Sequence, residues 1–283
     1  MNEILLKCLA AVIALAATNA SAQDASGGAS NEPRWYGAID GGYHWPLTID
    51  SRSVGLAPDG LPYDWRWKTN SEWAALGRIG YRLSSHVRIE LEGGYRQSSL
   101  NSVTAPGGVA GGLSIARPGE PYGLCSRASI APACVAPSGA DKNWVYTESA
   151  MANVMFDILP RKRFDPFVGA GVGIEHIQWN ANYAFSNVPG PITPTNPAHQ
   201  IIQLGGSMDR LSQFAFQVLG GVSYRATRRL SVDFTYRFLA AEFLRWNTDN
   251  NTPGIDYLHG LQPRDFRGAL EDQALTVGLR YGL

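Results

Sequence analysis

The clearest hydrophobic pattern in the chain runs from Gln213 to Trp246. Phe214, Phe216, Val218, Gly220, Val222 and Tyr224 fall on one face, and Gln213, Ala215, Gln217, Leu219, Gly221 and Ser223 on the other. After the turn Arg225-Ala226-Thr227-Arg228-Arg229 the pattern resumes. Leu230, Val232, Phe234, Tyr236 and Phe238 share the apolar face, opposite Ser231, Asp233, Thr235, Arg237 and Leu239. A period of two means β-strand, because successive side chains leave the pleat on opposite sides. One face is aliphatic and aromatic without charge, and the other carries Gln217, Asp233 and Arg237. Such a hairpin suits two different solvents, one oily and one polar.

The alternation recurs along the chain and predicts six further strands. They cover 35–45, 71–83, 87–98, 142–158, 166–180 and 270–283. In the third, Val87, Ile89, Leu91 and Tyr95 oppose Arg88, Glu90, Glu92 and Arg96. Glu148 interrupts the fourth, which predicts either a position above the apolar band or a bulge. Beyond Glu175 the phase is expected to slip, because Ile177 and Trp179 leave the apolar register. The connections alternate in length. Long loops are expected at 46–70, 99–141, 181–212 and 247–269, and short turns between the other strands. All 17 prolines fall outside the predicted strands or, as with Pro166, at a first residue. Proline cannot donate to a ladder, so its placement is an independent check.

Alternation does not say which face is inside, and a soluble lipocalin-like barrel has the same pattern. Four features favour a membrane barrel. The strands are long, about 11 to 17 residues against a usual five or six. Aromatics collect towards strand ends: Trp35, Tyr81, Phe156, Tyr224 and Tyr281 on the short-turn side, and Trp45, Trp73, Trp144, Trp179 and Trp246 on the other. Long outer loops and short periplasmic turns fit such barrels. The last strand runs to Leu283. The expected fold is therefore all-β: an eight-stranded antiparallel up-and-down transmembrane barrel over 35–283, with four long outer loops and three short periplasmic turns. Eight strands leave a bore that side chains fill. The expected bore set is Asp40, His44, Glu72, Arg78, Arg82, Arg88, Glu90, Glu92, Arg96, Asp157, Glu175, Asp233, Arg237 and Arg280. Buried charges persist only when paired, which predicts crossed arginine–carboxylate networks plugging the lumen.

Composition agrees. Charged residues are 17% of the chain, where about 25% is usual in soluble domains. Formal net charge is zero, so electrostatics do not point to nucleic acid. Residues 1–22 read as a secretory signal: Lys7, an apolar stretch from Cys8 to Ala17, then Ala20-Ser21-Ala22 as a cleavage site. Residues 23–34 read as a flexible lead-in. In an exported chain the remaining cysteines, Cys125 and Cys134, are expected to form a disulfide.

The segments WYGAIDGGYHW at 35, FDPFVGAGVGIE at 164, FAFQVLGGVSYRATRRLSVDFTYRF at 214 and ALTVGLRYGL at 274 resemble the proteobacterial outer-membrane β-barrel family of the OmpA and opacity-protein type. The resemblance covers nearly all of the chain after the signal. It departs at Leu283, where members often end in Phe. It implies an eight-stranded barrel, insertion by the outer-membrane assembly machinery, and structural, adhesive or weak porin roles.

Catalytic chemistry needs a nucleophile and a base within hydrogen-bond reach. Of the histidines, His86 falls in a turn and His199 and His259 in loops. His176 sits near the outer end of the fifth predicted strand, with Ser207 and Ser212 in the following loop. No histidine–serine cluster resembling a lipid A deacylase motif is present in the sequence. No cofactor or metal set is expected. The expected function is a non-enzymatic outer-membrane barrel of the cell envelope with a largely plugged lumen and a structural or surface-contact role. A narrow porin-like channel and a lipid A-modifying enzyme are the alternatives. Expected partners are outer-membrane lipid, lipopolysaccharide, the assembly machinery and a surface ligand bound through the four long loops.

Overall fold

The computed structural model describes residues 33–56, 62–104, 121–124, 144–160, 162–186, 201–247 and 265–283. The predicted signal 1–22, most of the lead-in 23–34, and Cys125 and Cys134 lie outside the described residues.

Eight long strand lines close into an antiparallel ring. In chain order the strands are β1 (Trp35–Pro46), β2 (Ile49–Leu56), β3 (Pro62–Thr69), β4 (Glu72–Arg82), β5 (Val87–Thr104), β6 (Pro121–Leu124), β7 (Trp144–Asp157), β8 (Phe164–Ser186), β9 (Ile201–Arg225), β10 (Leu230–Asn247) and β11 (Asp265–Gly282). Around the ring the order is β1, β4, β5, β7, β8, β9, β10 and β11, and pairing of β11 with β1 closes it. Closure matters because hydrocarbon offers no partner to an open strand edge. No described helix is long and apolar enough to cross a membrane.

The predicted strands are present, but the barrel is taller than expected. The segment 46–70, expected as a loop, holds β2 and β3. These are the upper halves of β1 and β4, offset by short breaks. Pro46 ends β1, as expected of a residue without an N–H. Yet Leu47 N–H still donates to Glu271 O at 2.7 Å, and Asn70 N–H to Ser99 O at 2.8 Å. Above the breaks, β2 pairs with β11 and β3 with β5, so the ring of eight continues upward. Much of the expected loop 181–212 is likewise strand, since β8 and β9 pair from Phe164↔Tyr224 to Ser186↔Ile201. β5 extends to Thr104 and β6 lies within the expected loop 99–141, while β11 begins at Asp265 within the expected loop 247–269. Pro166 is the third residue of β8 rather than its first.

Of the two readings of Glu148, a place above the apolar band or a bulge, the first holds: it pairs with Tyr95 and His176 in unbroken ladders and points outward above Ala150, Ala152 and Val154. The expected phase slip after Glu175 does not occur. β8 keeps its register to β7 and β9 through this stretch, and Glu175, Ile177 and Trp179 all face inward. What changes is the chemistry of the interior, from ionic to apolar.

Candidate functional site

The lower bore is ionic. Inward positions of β1, β4, β5, β10 and β11 bring Asp40, Arg78, Arg88, Glu90, Glu92, Arg96, Asp233, Arg237 and Arg280 to the axis, and all are buried. Arg78 is the hub. Its Nε and Nη2 donate to Asp40 Oδ2 and Oδ1 at 2.6 and 2.8 Å, and Nη2 also reaches Asp233 Oδ2 at 3.1 Å. Its Nη1 lies 3.3 Å from Glu90 Oε1. The planar fork of arginine allows this bidentate grip, which a lysine ammonium could not reproduce.

Room for that hub comes from Gly278. It pairs with Asp40 on one side and Asp233 on the other. A Cβ there would run into Asp40 Oδ1 and crowd Arg78 Nη2 at 3.2 Å. Large and small residues therefore interleave across the bore, as in other small barrels.

Below the hub, Tyr36 stands among cations. Its hydroxyl donates to Glu90 Oε1 at 2.7 Å and accepts from Arg88 Nη1 at 3.2 Å. The guanidiniums of Arg82, Arg88 and Arg280 lie 5.8, 5.7 and 5.4 Å from its ring centre, within cation–π range. Arg88 also pairs with Asp157 at 2.9 Å, and Arg280 with Asp233 at 3.3 Å. Arg82 is only partly buried and reaches Asp157 at 3.5 Å.

Above the hub, Arg237 Nη1 lies 3.0 Å from Glu92 Oε2 and Nη2 lies 3.6 Å from Asp40. Neither contact is aligned as a hydrogen bond, so this pairing is mainly Coulombic. Gln217 bridges Glu92 and Asn153 at 3.1 and 2.7 Å. One level higher, Arg96 meets Asp272 at 3.3 Å and Glu175 at 4.0 Å, and His44 Nδ1 lies 3.1 Å from Asp272.

Each member of the expected bore set except Glu72 faces this network. Glu72 is half-buried and accepts from Ser99 N–H at 2.7 Å. Tyr36 and Asp272 were missed, although both keep the inward phase of their strands. Asp165, assigned to a turn, is buried at the base of β8 and accepts from Leu159 N–H at 2.9 Å.

The upper bore is an apolar plug. Ile49, Trp67, Leu100, Val145, Ile177, Leu244, Phe266 and Leu270 are buried there. Trp179, expected in an outer girdle, instead points inward and packs on Trp67 with ring centres 4.7 Å apart. Trp67 satisfies its indole N–H on Ser51 Oγ at 3.1 Å, as a buried tryptophan must.

The outer surface reverses these chemistries. Ile39, Ile79, Leu91, Val172, Ile174, Phe214, Phe234, Val277 and Leu279 are exposed in the lower part. An aromatic belt borders this band above, with Trp73–Tyr95, Tyr95–Tyr146 and Trp144–Tyr146 ring pairs at 5.4, 6.1 and 4.4 Å. Trp35–Tyr81 and Phe164–Tyr224 border it below at 5.0 and 5.1 Å. The side chain of Trp246 lies outside the described part. Higher up, the outward positions are mostly polar: Asp50, Arg52, Arg66, Lys68, Arg245, Arg267 and Glu271 are exposed, with Val54 among them.

At that upper border the ladder brings together two residues that the sequence left apart. His176 on β8 and Ser212, part of β9 rather than a loop, are direct partners, and Nδ1 lies 2.9 Å from Oγ. Among the described residues no group of three or more metal-ligating side chains forms a metal site.

Comparison with known proteins agrees with this architecture. The family model described as outer membrane protein beta-barrel domain matches residues 8–281. Among solved structures, the outer membrane protease OmpT from Escherichia coli is similar at 12% identity, with 91% of this chain and 99% of that chain covered and a TM-score of 0.52. Neisserial surface protein A matches at 13% identity, covering 88% and 97%, with a TM-score of 0.40. OprG from Pseudomonas aeruginosa matches at 10% identity, covering 89% and 98%, with a TM-score of 0.46. At these identities the OmpT likeness speaks for the fold alone, and the other two add no argument. No curated protein matches the chain by sequence.

Proposed function

Because this chain belongs to the outer-membrane β-barrel protein family, we propose that it is a sealed barrel of the Gram-negative outer membrane with a structural or surface-contact role. The observation that carries this reading is the inaccessibility of the bore. Arg88, Glu175, Gln217 and Asp233 are each 0% exposed, although all point into the lumen. A water-filled pore leaves its lining wet. Here the lining groups face one another instead, and the apolar plug covers them from above. Arginine–carboxylate networks tie the strands together across the bore, because each close ion pair would have to separate before water could pass.

The apolar belt takes outer-membrane lipid as its solvent, and the exposed polar zone above it stands at the level of lipopolysaccharide head groups. The outer-membrane assembly machinery is the partner such a barrel requires for insertion. A surface ligand would be met through 46–70, 99–141, 181–212 and 247–269, whose described strands β2 and β3 and the ends of β8, β9 and β11 rise above the belt. Planar-bilayer recording of the refolded protein tests the proposal. A sealed barrel gives no steady unitary current in potassium chloride. A reproducible open channel contradicts it and favours a porin-like role.

A further inference from the structure

Three polar residues stand on one line across the outer face. Glu148 on β7 pairs with His176 on β8, and His176 pairs with Ser212 on β9. Each is the first polar outward side chain above the apolar band on its strand. Below Glu148 come Ala150, Ala152 and Val154; below His176 come Ile174 and Val172; below Ser212 come Phe214 and Phe216. The row therefore lies where hydrocarbon gives way to head groups, the depth at which the acyl esters of membrane lipids sit.

The imidazole is already engaged with the hydroxyl, Nδ1 to Oγ at 2.9 Å. Glu148 flanks the ring on the opposite strand. Directly opposed residues have Cβ atoms roughly 4.5–5.5 Å apart, so turning the Glu148 carboxylate toward the ring asks for a side-chain rotation and no movement of the strand. One level higher, Tyr146 OH donates to Gln178 Oε1 at 2.7 Å, which leaves the Gln178 amide N–H2 as a donor on the same face. Serine, base, orienting carboxylate and an amide donor make up the working parts of acyl transfer.

We propose that Ser212, His176 and Glu148 form a membrane-facing esterase site for acyl esters of phosphate-bearing outer-membrane amphiphiles. Ser212 Oγ attacks the ester carbonyl as His176 takes its proton. The tetrahedral intermediate collapses to an acyl-serine, and His176 returns the proton to the departing alkoxide, which leaves as the alcohol. Water, deprotonated by His176, then cleaves the acyl-serine to release the fatty acid and restore the hydroxyl. Ser212 and His176 are the catalytic residues, and Glu148 is a positioning residue for the ring. The preference for an anionic head group comes from Arg245, Arg267 and Arg52. They are exposed and directly paired in a row across β10, β11 and β2, beginning on the strand beside the one that carries Ser212. This site is separate from the sealed bore, and the bore can be closed whether or not the site is active.

The test uses the full-length protein refolded into vesicles, one set of phosphatidylglycerol and one containing purified lipid A. Fatty-acid release is read by mass spectrometry, and a fluorophosphonate probe maps any reactive serine. The expected result is phosphonylation at Ser212 and release from at least one vesicle type, with the responsive set identifying the lipid. S212A should abolish labelling and release, and H176N should lower release at least about 100-fold, while both keep the heat-modifiable gel shift of a folded barrel. E148Q should lower kcat with little change in KM and displace the pH profile. Absence of both labelling and release from the folded wild-type protein overturns the proposal, as does release that persists in S212A. An E148Q variant with wild-type kcat and pH profile overturns the role of Glu148.

Discussion

Arg78 shows what the interior asks of a single side chain. One guanidinium serves Asp40, Glu90 and Asp233, and each carboxylate is shared with another arginine. Removing one partner from such a network leaves an uncompensated charge without access to water. Arg237→Ala should therefore cost on the order of 3 kcal/mol, because Glu92 loses its cation. A lowered urea midpoint in liposomes with an unchanged slope is the expected reading, and an unchanged midpoint would show that Arg237 carries no pairing energy. Most of this network was legible in the sequence, since a charge opposite an apolar residue in an alternating run has one place to go. Tyr36 was hidden because an inward tyrosine looks like a girdle aromatic until its hydroxyl is seen on Glu90. Asp272 was hidden because the pattern weakens near the start of β11, where the outward side turns polar.

On the scale of one strand, β11 contains the organising principle. Outward, Leu279, Val277 and Leu275 give way to Gln273, Glu271 and Arg267; inward, Arg280, Thr276 and Asp272 give way to Leu270 and Phe266. Both faces exchange character at nearly the same height. Below that height lipid is the outer solvent, so polar groups turn in. Above it water is the outer solvent, so apolar groups turn in as in any soluble protein, and each large one buried contributes about 1.5–3 kcal/mol. The apparent slip at Ile177 and Trp179 is this exchange seen on β8. Periodicity analysis assumes one inside and one outside along a strand, so it reads a change of solvent as a change of register. The same exchange explains why strand in 46–70 and 181–212 looked like loop. The position of the crossover predicts a contrast on β11. Val277→Lys should destabilise the barrel by about 2–4 kcal/mol, as a cation in the hydrocarbon does. Glu271→Lys should stay within about 0.5 kcal/mol, as for an ordinary exposed site. Equal costs for the two would remove the proposed membrane boundary.

The whole molecule is one continuous ring crossing two media. Its ionic lower core and apolar upper core fill the described bore by different physics, ion pairing in one and dry packing in the other. Its function is therefore sought on the surfaces: the lipid-facing belt, the polar border with His176 and Ser212, and the segments above them. The crossover of faces underlies each of these assignments. Its most direct measurement is a nitroxide scan along β11 in bilayers, in a C8S/C125S/C134S background, comparing collisions with oxygen and with a nickel chelate. Labels at Leu275, Val277 and Leu279 should meet oxygen but not the chelate. Labels at Gln273 and Glu271 should meet the chelate, and those at Ala274, Thr276 and Leu270 neither. Chelate contact at Thr276 and Ala274, with Val277 and Leu279 shielded from oxygen, would place water in the bore and packed protein outside, and would contradict the inverted barrel.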